Sequence, residues 1–519
     1  MSETAREGGG PDGDIEALAK GGRTNLIGFL LRLAARLPFL FIAGRLYGAD
    51  DLGRFASALV VVELVALLCS LGEKRGLAQR LSDVEGKSER RATTLVYDGM
   101  FVATGLSVLA ALALWFFPAP LFPNGMNGPL DRLLVLAIPG YALTEIVLAA
   151  QAYRYDIATT VRARAVVEPW TISILAGVFW FVPAIAHSGL AMAYLASIYA
   201  GLATALWTFF RTYGLPRGWR LRPVALARMS WRATPLALAD AIEWGTRRVD
   251  IAILGIYAGP TAVGIYYVAQ QVASLPQKLK TSFEPILGPV ITKALRENDY
   301  AAIARQVCQV GFWITAAQAG IALALGIPGQ GIMGLTGPEF VGGTAALAFL
   351  LAAEVVAATA VVSEAALVYV ARVRNLAISI GVIALQALLT VIAMEVVDRW
   401  DFATQQRADL YRAAAAAAAL MLALGVSSVV KSILLSRILK QGINNWRWPL
   451  VWAALAAVVV GQLVVRLPEW AELALGIPLI LGVYGLVIWH KGFGPEDRKL
   501  FARQSEKVVD PDAPPSGSA

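Results

Sequence analysis

The stretch ADAIEWGTRRVDIAIL carries Asp240, Glu243, Arg247 and Asp250 at spacings of three, four and three. On one continuous helix that spacing puts all four on a single stripe. Arg248 adds a fifth charge, yet the flanking ATPLAL and GIYAG have the composition of a helix meant for lipid. Each charge would cost about 2.5–3.5 kcal/mol at a lipid-facing bilayer centre. Glu243 and Arg247, four apart, can pair along the helix. The remaining cost disappears only where the stripe faces a bundle interior or a wet cavity. Arg32 and Arg36 sit four apart on one face of an earlier apolar stretch, and a later one holds Lys278, Lys280 and Glu284 among Pro276 and Pro285. A guanidinium offers a planar fork of donors that fits a phosphate or pyrophosphate, more strongly at low dielectric. Arg32, Arg36, Arg247, Arg248, Lys278 and Lys280 are therefore candidates for an anion-binding chamber. The structural alternative is that they are ion-paired struts, or side chains that snorkel to the interface.

The acids divide the same way. Glu63 stands alone in ALVVVELVALL and must face inward; its structural role would be to pair with Arg32 or Arg36. Glu63, Asp240, Glu243, Asp250 and Glu284 are candidates for lining the cavity or binding a coupling proton or sodium ion. Glu73, Lys74 and Arg75 read as a gate or as interfacial anchors. Glu145, Glu168, Glu354 and Glu364 also fall in apolar surroundings. Two histidines, His187 and His490, and two separate cysteines, Cys69 and Cys308, make neither a metal constellation nor a disulfide framework. No metal or cofactor is expected, and no catalytic centre.

These side chains need a membrane scaffold to hold them. Of the 519 residues 57% are hydrophobic and 16% charged, against about a quarter charged in a soluble domain. Apolar runs of roughly twenty residues, long enough to cross a bilayer, recur throughout. They predict an all-α polytopic membrane protein of about fourteen helices, from 24–45 and 54–78 through 233–257, 263–288 and an over-long 341–370 to 470–490. The expected organisation is a tail at 1–22, a first lobe at 23–211, a basic linker at 212–232, a second lobe at 233–440, two added helices in 441–491 and a tail at 492–519. With a cytoplasmic N-terminus the inside loops hold 22 basic residues and the outside loops seven. That bias puts both termini inside and accounts for most of the +8 net charge without nucleic acid. Asp50 and Asp51 read as a solvated pair in a short outside loop.

An internal repeat supports two lobes. Leu52 to Ala58, LGRFASA, parallels Val263 to Ala269, VGIYYVA, at an offset of 211 residues, and the same offset carries Arg36 onto Arg247. Six helices per half give parallel repeats about an axis along the membrane normal.

The segments RLYGADDLGRFASALVVVELVALLCSLGEKRGLAQRL (Arg45 to Leu81) and AVGIYYVAQQVASLPQKLKTSFEPILGPVIT (Ala262 to Thr292) resemble bacterial polysaccharide-biosynthesis flippases of the Wzx type. Those belong to the multidrug/oligosaccharidyl-lipid/polysaccharide (MOP) exporter superfamily. The resemblance covers about the first twelve helices. It implies two six-helix lobes in a V, opening alternately to each side of the bacterial plasma membrane. It also implies an undecaprenyl-pyrophosphate-linked oligosaccharide as cargo, Arg36 and Arg247 as the best-placed pyrophosphate ligands, and polysaccharide polymerase or export proteins as partners. The two extra C-terminal helices depart from the twelve of many Wzx-type proteins and match the fourteen of lipid II flippases. Three other functions are weighed: a lipid II-type flippase, a drug or cation exporter, and a membrane polysaccharide polymerase or ligase. Midplane arginines argue against the exporter, and short outside loops against the enzyme.

Overall fold

The computed structural model describes residues 37–82, 89–215, 219–277, 291–292 and 294–494. Arg32, Arg36, Lys278, Lys280, Glu284 and the 1–22 tail lie outside them. Among the described residues every regular element is helical. The first half runs through α1 (residues 37–47), α2 (Gly48–Cys69), α3 (Glu73–Ser82), α4 (Glu89–Phe116), α5 (Ala137–Tyr153), α6 (Ile157–Val161), α7 (Glu168–Trp180) and α8 (Gly189–Tyr213). The second half comprises α9 (Pro223–Gly245), α10 (Val249–Tyr257), α11 (Pro260–Gln277), α12 (Tyr300–Gly326), α13 (Gly329–Thr336), α14 (Thr344–Val370), α15 (Arg372–Asp398) and α16 (Gln405–Leu439). Two last helices follow, α17 (Pro449–Val464) and α18 (Ile477–Val487). Nine helical runs among the described residues are long and apolar enough to cross a membrane, and α17 is a shorter apolar helix.

Each half buries its own apolar cluster. Leu77, Ile146, Ala163 and Phe209 form one, and Ile303, Val307, Val362 and Leu435 the other. A third cluster joins the halves through Leu52, Val62, Ile251, Val263 and Tyr266. The last two helices dock on α12, where Phe312 and Ala316 meet Ala453, Ile480 and Tyr484.

The halves meet where α2 crosses α11. A Cβ on Gly53 would overlap the Pro260 carbonyl and lie 2.8 Å from the Gly264 amide nitrogen. A Cβ on Gly264 would overlap the Ala49 carbonyl and lie 3.0 Å from the Gly53 amide nitrogen. The two sets are reciprocal, because 53 + 211 = 264 and 49 + 211 = 260. Such exchange is the signature of a two-fold contact, and small residues at i and i+4 let the backbones approach. The sequence repeat is therefore also the contact that joins the two halves.

Three expectations change. Helix α1 passes into α2 through Gly48 alone, whose φ of 79° and ψ of 179° reverse the chain without a loop. Asp50 and Asp51 thus stand in the first turn of α2, where acids suit the helix dipole, and Asp50 pairs with Arg54 at 2.9 Å. The expected seventh span at 233–257 is broken between α9 and α10 by a turn at residues 246–248. Arg164 and Lys431, counted among the inside loops, are both held within the helical body. Arg164 lies in the π-helical turn Arg162–Val167, and Lys431 is buried in α16, donating to Glu364 at 2.9 Å and to Ser379 at 3.2 Å.

The crossing yields a direct test. Gly53→Ala and Gly264→Ala should each lower stability by about 1–3 kcal/mol, the usual cost of overpacking. Gly105→Ala, with open space around its Cβ position, should be neutral. Apparent melting temperatures in detergent distinguish the three, and equal melting for all of them would remove the crossing from the fold's essential contacts.

Candidate functional site

Two arginines stand at the break after α9. Arg247 reaches Glu354 on α14, while its neighbour Arg248 turns to Gln270 on α11 at 3.2 Å and to Glu63 on α2 at 3.9 Å. The turn at residues 246–248, with Arg248 at φ −138°, sets these two side chains at the break between α9 and α10. The Gln270 amide donates to the Arg247 carbonyl at 3.1 Å, so the broken backbone keeps a partner, as a membrane interior demands.

Because of the break, the spacing of three, four and three no longer describes one stripe. Glu243 is exposed, Asp240 is half-buried and Asp250 is fully buried. The Asp250 carboxylate accepts from the Tyr266 hydroxyl and from the Ile251 amide at 3.0 Å, which ties α10 to α11. Arg247 finds its carboxylate on α14 instead of on Glu243.

A cavity of about 120 Å³ opens beside the break. Phe39 and Leu40 of α1, Phe55, Leu59 and Glu63 of α2, Arg164, Glu168 of α7 and Tyr194 of α8 line it from the first half. Arg248, Tyr267 and Gln271 line it from the second. Part of the lining belongs to a charge cluster of which the sequence singles out only the acids, Glu145 and Glu168. Arg164 donates to both oxygens of Glu168 at 3.0 Å and to Glu145, and its guanidinium lies 4.5 Å from the Tyr141 ring. Gly201 leaves room for this cluster, since a Cβ there would collide with the Glu168 side chain. The signal was present: Arg164 and Glu168 are four apart, and Glu145 was marked as a buried acid. Assigning Arg164 to a loop hid it.

Of the proposed site residues, the structure therefore brings Arg248 and Glu63 together on one cavity. It places Arg247 beside them, engaged with Glu354. It sets Asp250 behind the wall and leaves Asp240 and Glu243 off the lining. The described lining is mixed in sign, with Arg164 and Arg248 facing Glu63 and Glu168, where a cationic chamber was expected. A volume of 120 Å³ is room for roughly four waters at about 30 Å³ each, far below the roughly 300–1,000 Å³ of pockets for drug-sized ligands.

Comparison with known proteins places the chain. The fold is similar to that of several solved membrane-transporter structures. It superposes on the inward-facing conformation of a multidrug resistance MATE family transporter of the MOP superfamily with a TM-score of 0.64 at 15% identity, covering 80% of this chain and 96% of that one. The lipid II flippase MurJ, inward closed conformation, gives a TM-score of 0.64 at 10% identity, over 89% and 99% of the two chains. A MOP superfamily transporter from Pyrococcus furiosus, described as having a binding pocket of reversed polarity, gives 0.56 at 15%, over 82% and 96%. At these identities the likeness is one of fold. In sequence, the chain is 24% identical over 270 residues to a probable multidrug resistance protein NorM of Pseudomonas putida, across 48% of this chain. The match spans 56% of that relative's length. A family model described as "Polysaccharide biosynthesis protein" matches residues 42–316, more than half of the chain. The chain belongs to that family.

Arg247 is half-buried and its partner Glu354 buried, and leaving a buried charge unpaired typically costs up to about 3–5 kcal/mol. Arg247→Ala should therefore destabilise the protein more than Arg247→Ala combined with Glu354→Ala. Thermal unfolding of both single variants and the double variant checks this; single-variant losses that simply add in the double would show that the two residues are not coupled.

Proposed function

We propose that the protein is a flippase that moves an undecaprenyl-pyrophosphate-linked oligosaccharide from the cytoplasmic to the periplasmic leaflet of the bacterial inner membrane. The two halves would open alternately around the chamber, with both termini in the cytoplasm. The observation that carries this reading is Arg248, a guanidinium facing a cavity at the seam of the halves and held there only by weak contacts at 3.2 and 3.9 Å. Arg248, beside the unwound point of the helix, offers a diphosphate a planar fork of donors. Membership of a polysaccharide biosynthesis family supports a glycan-bearing cargo. Arg32, Arg36, Lys278 and Lys280 would complete the anion site, and a proton or sodium ion would supply the drive. A polymerase or export complex would take the product, and no catalytic step is involved. A lipid II-type precursor has the same diphosphate and fits the same chamber.

A second reading, export of a cationic compound, is favoured by the carboxylates of Glu63 and Glu168 and the rings of Tyr194 and Tyr267 in the cavity wall. In this state, however, Glu168 is bound to Arg164 and Glu63 lies by Arg248.

The test is extraction of lipid-linked oligosaccharides from a strain lacking the protein, complemented with wild type or Arg248→Ala. Losing a charged hydrogen bond worth about 1.5–3 kcal/mol should slow clearance roughly ten- to hundredfold. The complete repeat unit should build up on the cytoplasmic side, and its mass would name the sugars. No accumulation, together with retention of cationic dyes, would instead make the protein an exporter.

A further inference from the structure

The three described guanidiniums near the chamber differ in how firmly they are held. Arg164 has both oxygens of Glu168 at 3.0 Å and Glu145 besides. Arg247 is engaged by Glu354. Arg248 has a neutral amide oxygen at 3.2 Å and a carboxylate oxygen of Glu63 at 3.9 Å. Glu63 is itself loosely placed, accepting only a long hydrogen bond of 3.4 Å from the Trp244 indole. These separations sit at or beyond the outer edge of hydrogen-bond geometry.

The loose pair also spans the two halves. Glu63 belongs to α2, while Trp244 ends α9 and Arg248 precedes α10. Along the same seam the halves touch through backbone on either side of it. One contact is the Gly53–Gly264 crossing. At the other, a Cβ on Gly72 would lie 2.6–2.8 Å from Leu236 and Ala237. Glu63, on α2, thus lies midway between these two backbone contacts, and both it and Arg248 face the cavity.

We propose that Glu63 is an internal substitute anion and a latch. It occupies Arg248 while the chamber is empty, and the arriving diphosphate displaces it, which releases α2 from the α9–α10 break. A diphosphate can engage the guanidinium fork through two oxygens, whereas Glu63 offers one oxygen at 3.9 Å. After the exchange, like charge between the ligand and Glu63 pushes α2 away from α10. The chamber then widens only when loaded. Arg164 cannot serve this way, because its carboxylates hold it too closely to exchange. The inference rests on the flippase reading.

The test uses the full chain with Cys69→Ala and Cys308→Ala, spin-labelled at Thr212 and Lys440. These are exposed positions at the ends of α8 and α16, one on each half. Pulsed electron resonance in lipid nanodiscs gives their separation with and without undecaprenyl pyrophosphate, and a binding titration accompanies it. Adding the lipid should shift the distance in the parent protein. Glu63→Gln should show the shifted distance with no lipid and bind the lipid about tenfold more tightly, because no internal anion then competes. Trp244→Phe, a milder variant that removes one donor to Glu63 and keeps an aromatic ring, should shift a smaller fraction. If the parent binds the lipid while Glu63→Gln keeps the unshifted distance and the parent affinity, the latch is wrong and the flippase reading stands. If neither protein binds the lipid, the reading fails and the exchange fails with it.

Discussion

A guanidinium placed inside a bilayer must be given an anion, and the interior of this protein is organised by that requirement. Its cost at the membrane centre, about 2.5–3.5 kcal/mol on insertion scales, is met by nearby carboxylates, most of them on other helices. Arg164 draws in Glu145 and Glu168, Arg247 reaches Glu354, and Arg248 lies within 3.9 Å of Glu63. Two of these arginines are adjacent, at the point where the helix is broken between Gly245 and Val249. The break exposes Arg248 to the cavity.

The second constraint is closeness. Gly53 and Gly264 let α2 and α11 cross at backbone distance, and the reciprocal contacts with Pro260 and Ala49 put the symmetry of the chain into its packing. A seam fixed there allows the rest of each half to be a separate packed body, with its own apolar cluster. Exchange of charge partners beside that seam then has somewhere to act.

The class of fold was legible in the sequence, because length, apolar runs and the 211-residue repeat are direct consequences of spanning a bilayer twice over in like halves. Even the crossing was written there, as Gly53 and Gly264 in LGRFASA and VGIYYVA. The site was legible in kind and less so in place. Arg247, Arg248 and Glu63 stood out because apolar neighbours make a charge conspicuous. Their partners did not, since a pair such as Arg247–Glu354 joins residues 107 apart and leaves no local pattern. The break after α9 was hard to see because no proline marks residues 246–248, and the single Gly245 at its edge is a weak sign. Arg164 was misplaced because a basic residue near a span end looks like a loop anchor until a nearby acid turns it inward.

The central claim is that this chamber carries a diphosphate lipid across the bilayer, and it is tested most directly with purified protein in liposomes. The measurement is the rate at which a fluorescent undecaprenyl pyrophosphate placed in one leaflet becomes accessible to a quencher in the other. Transfer by the wild-type protein well above that of empty liposomes, lost in Arg248→Ala, is the expected result. Transfer no faster than in empty liposomes, with a cationic dye moved in its place, would contradict it.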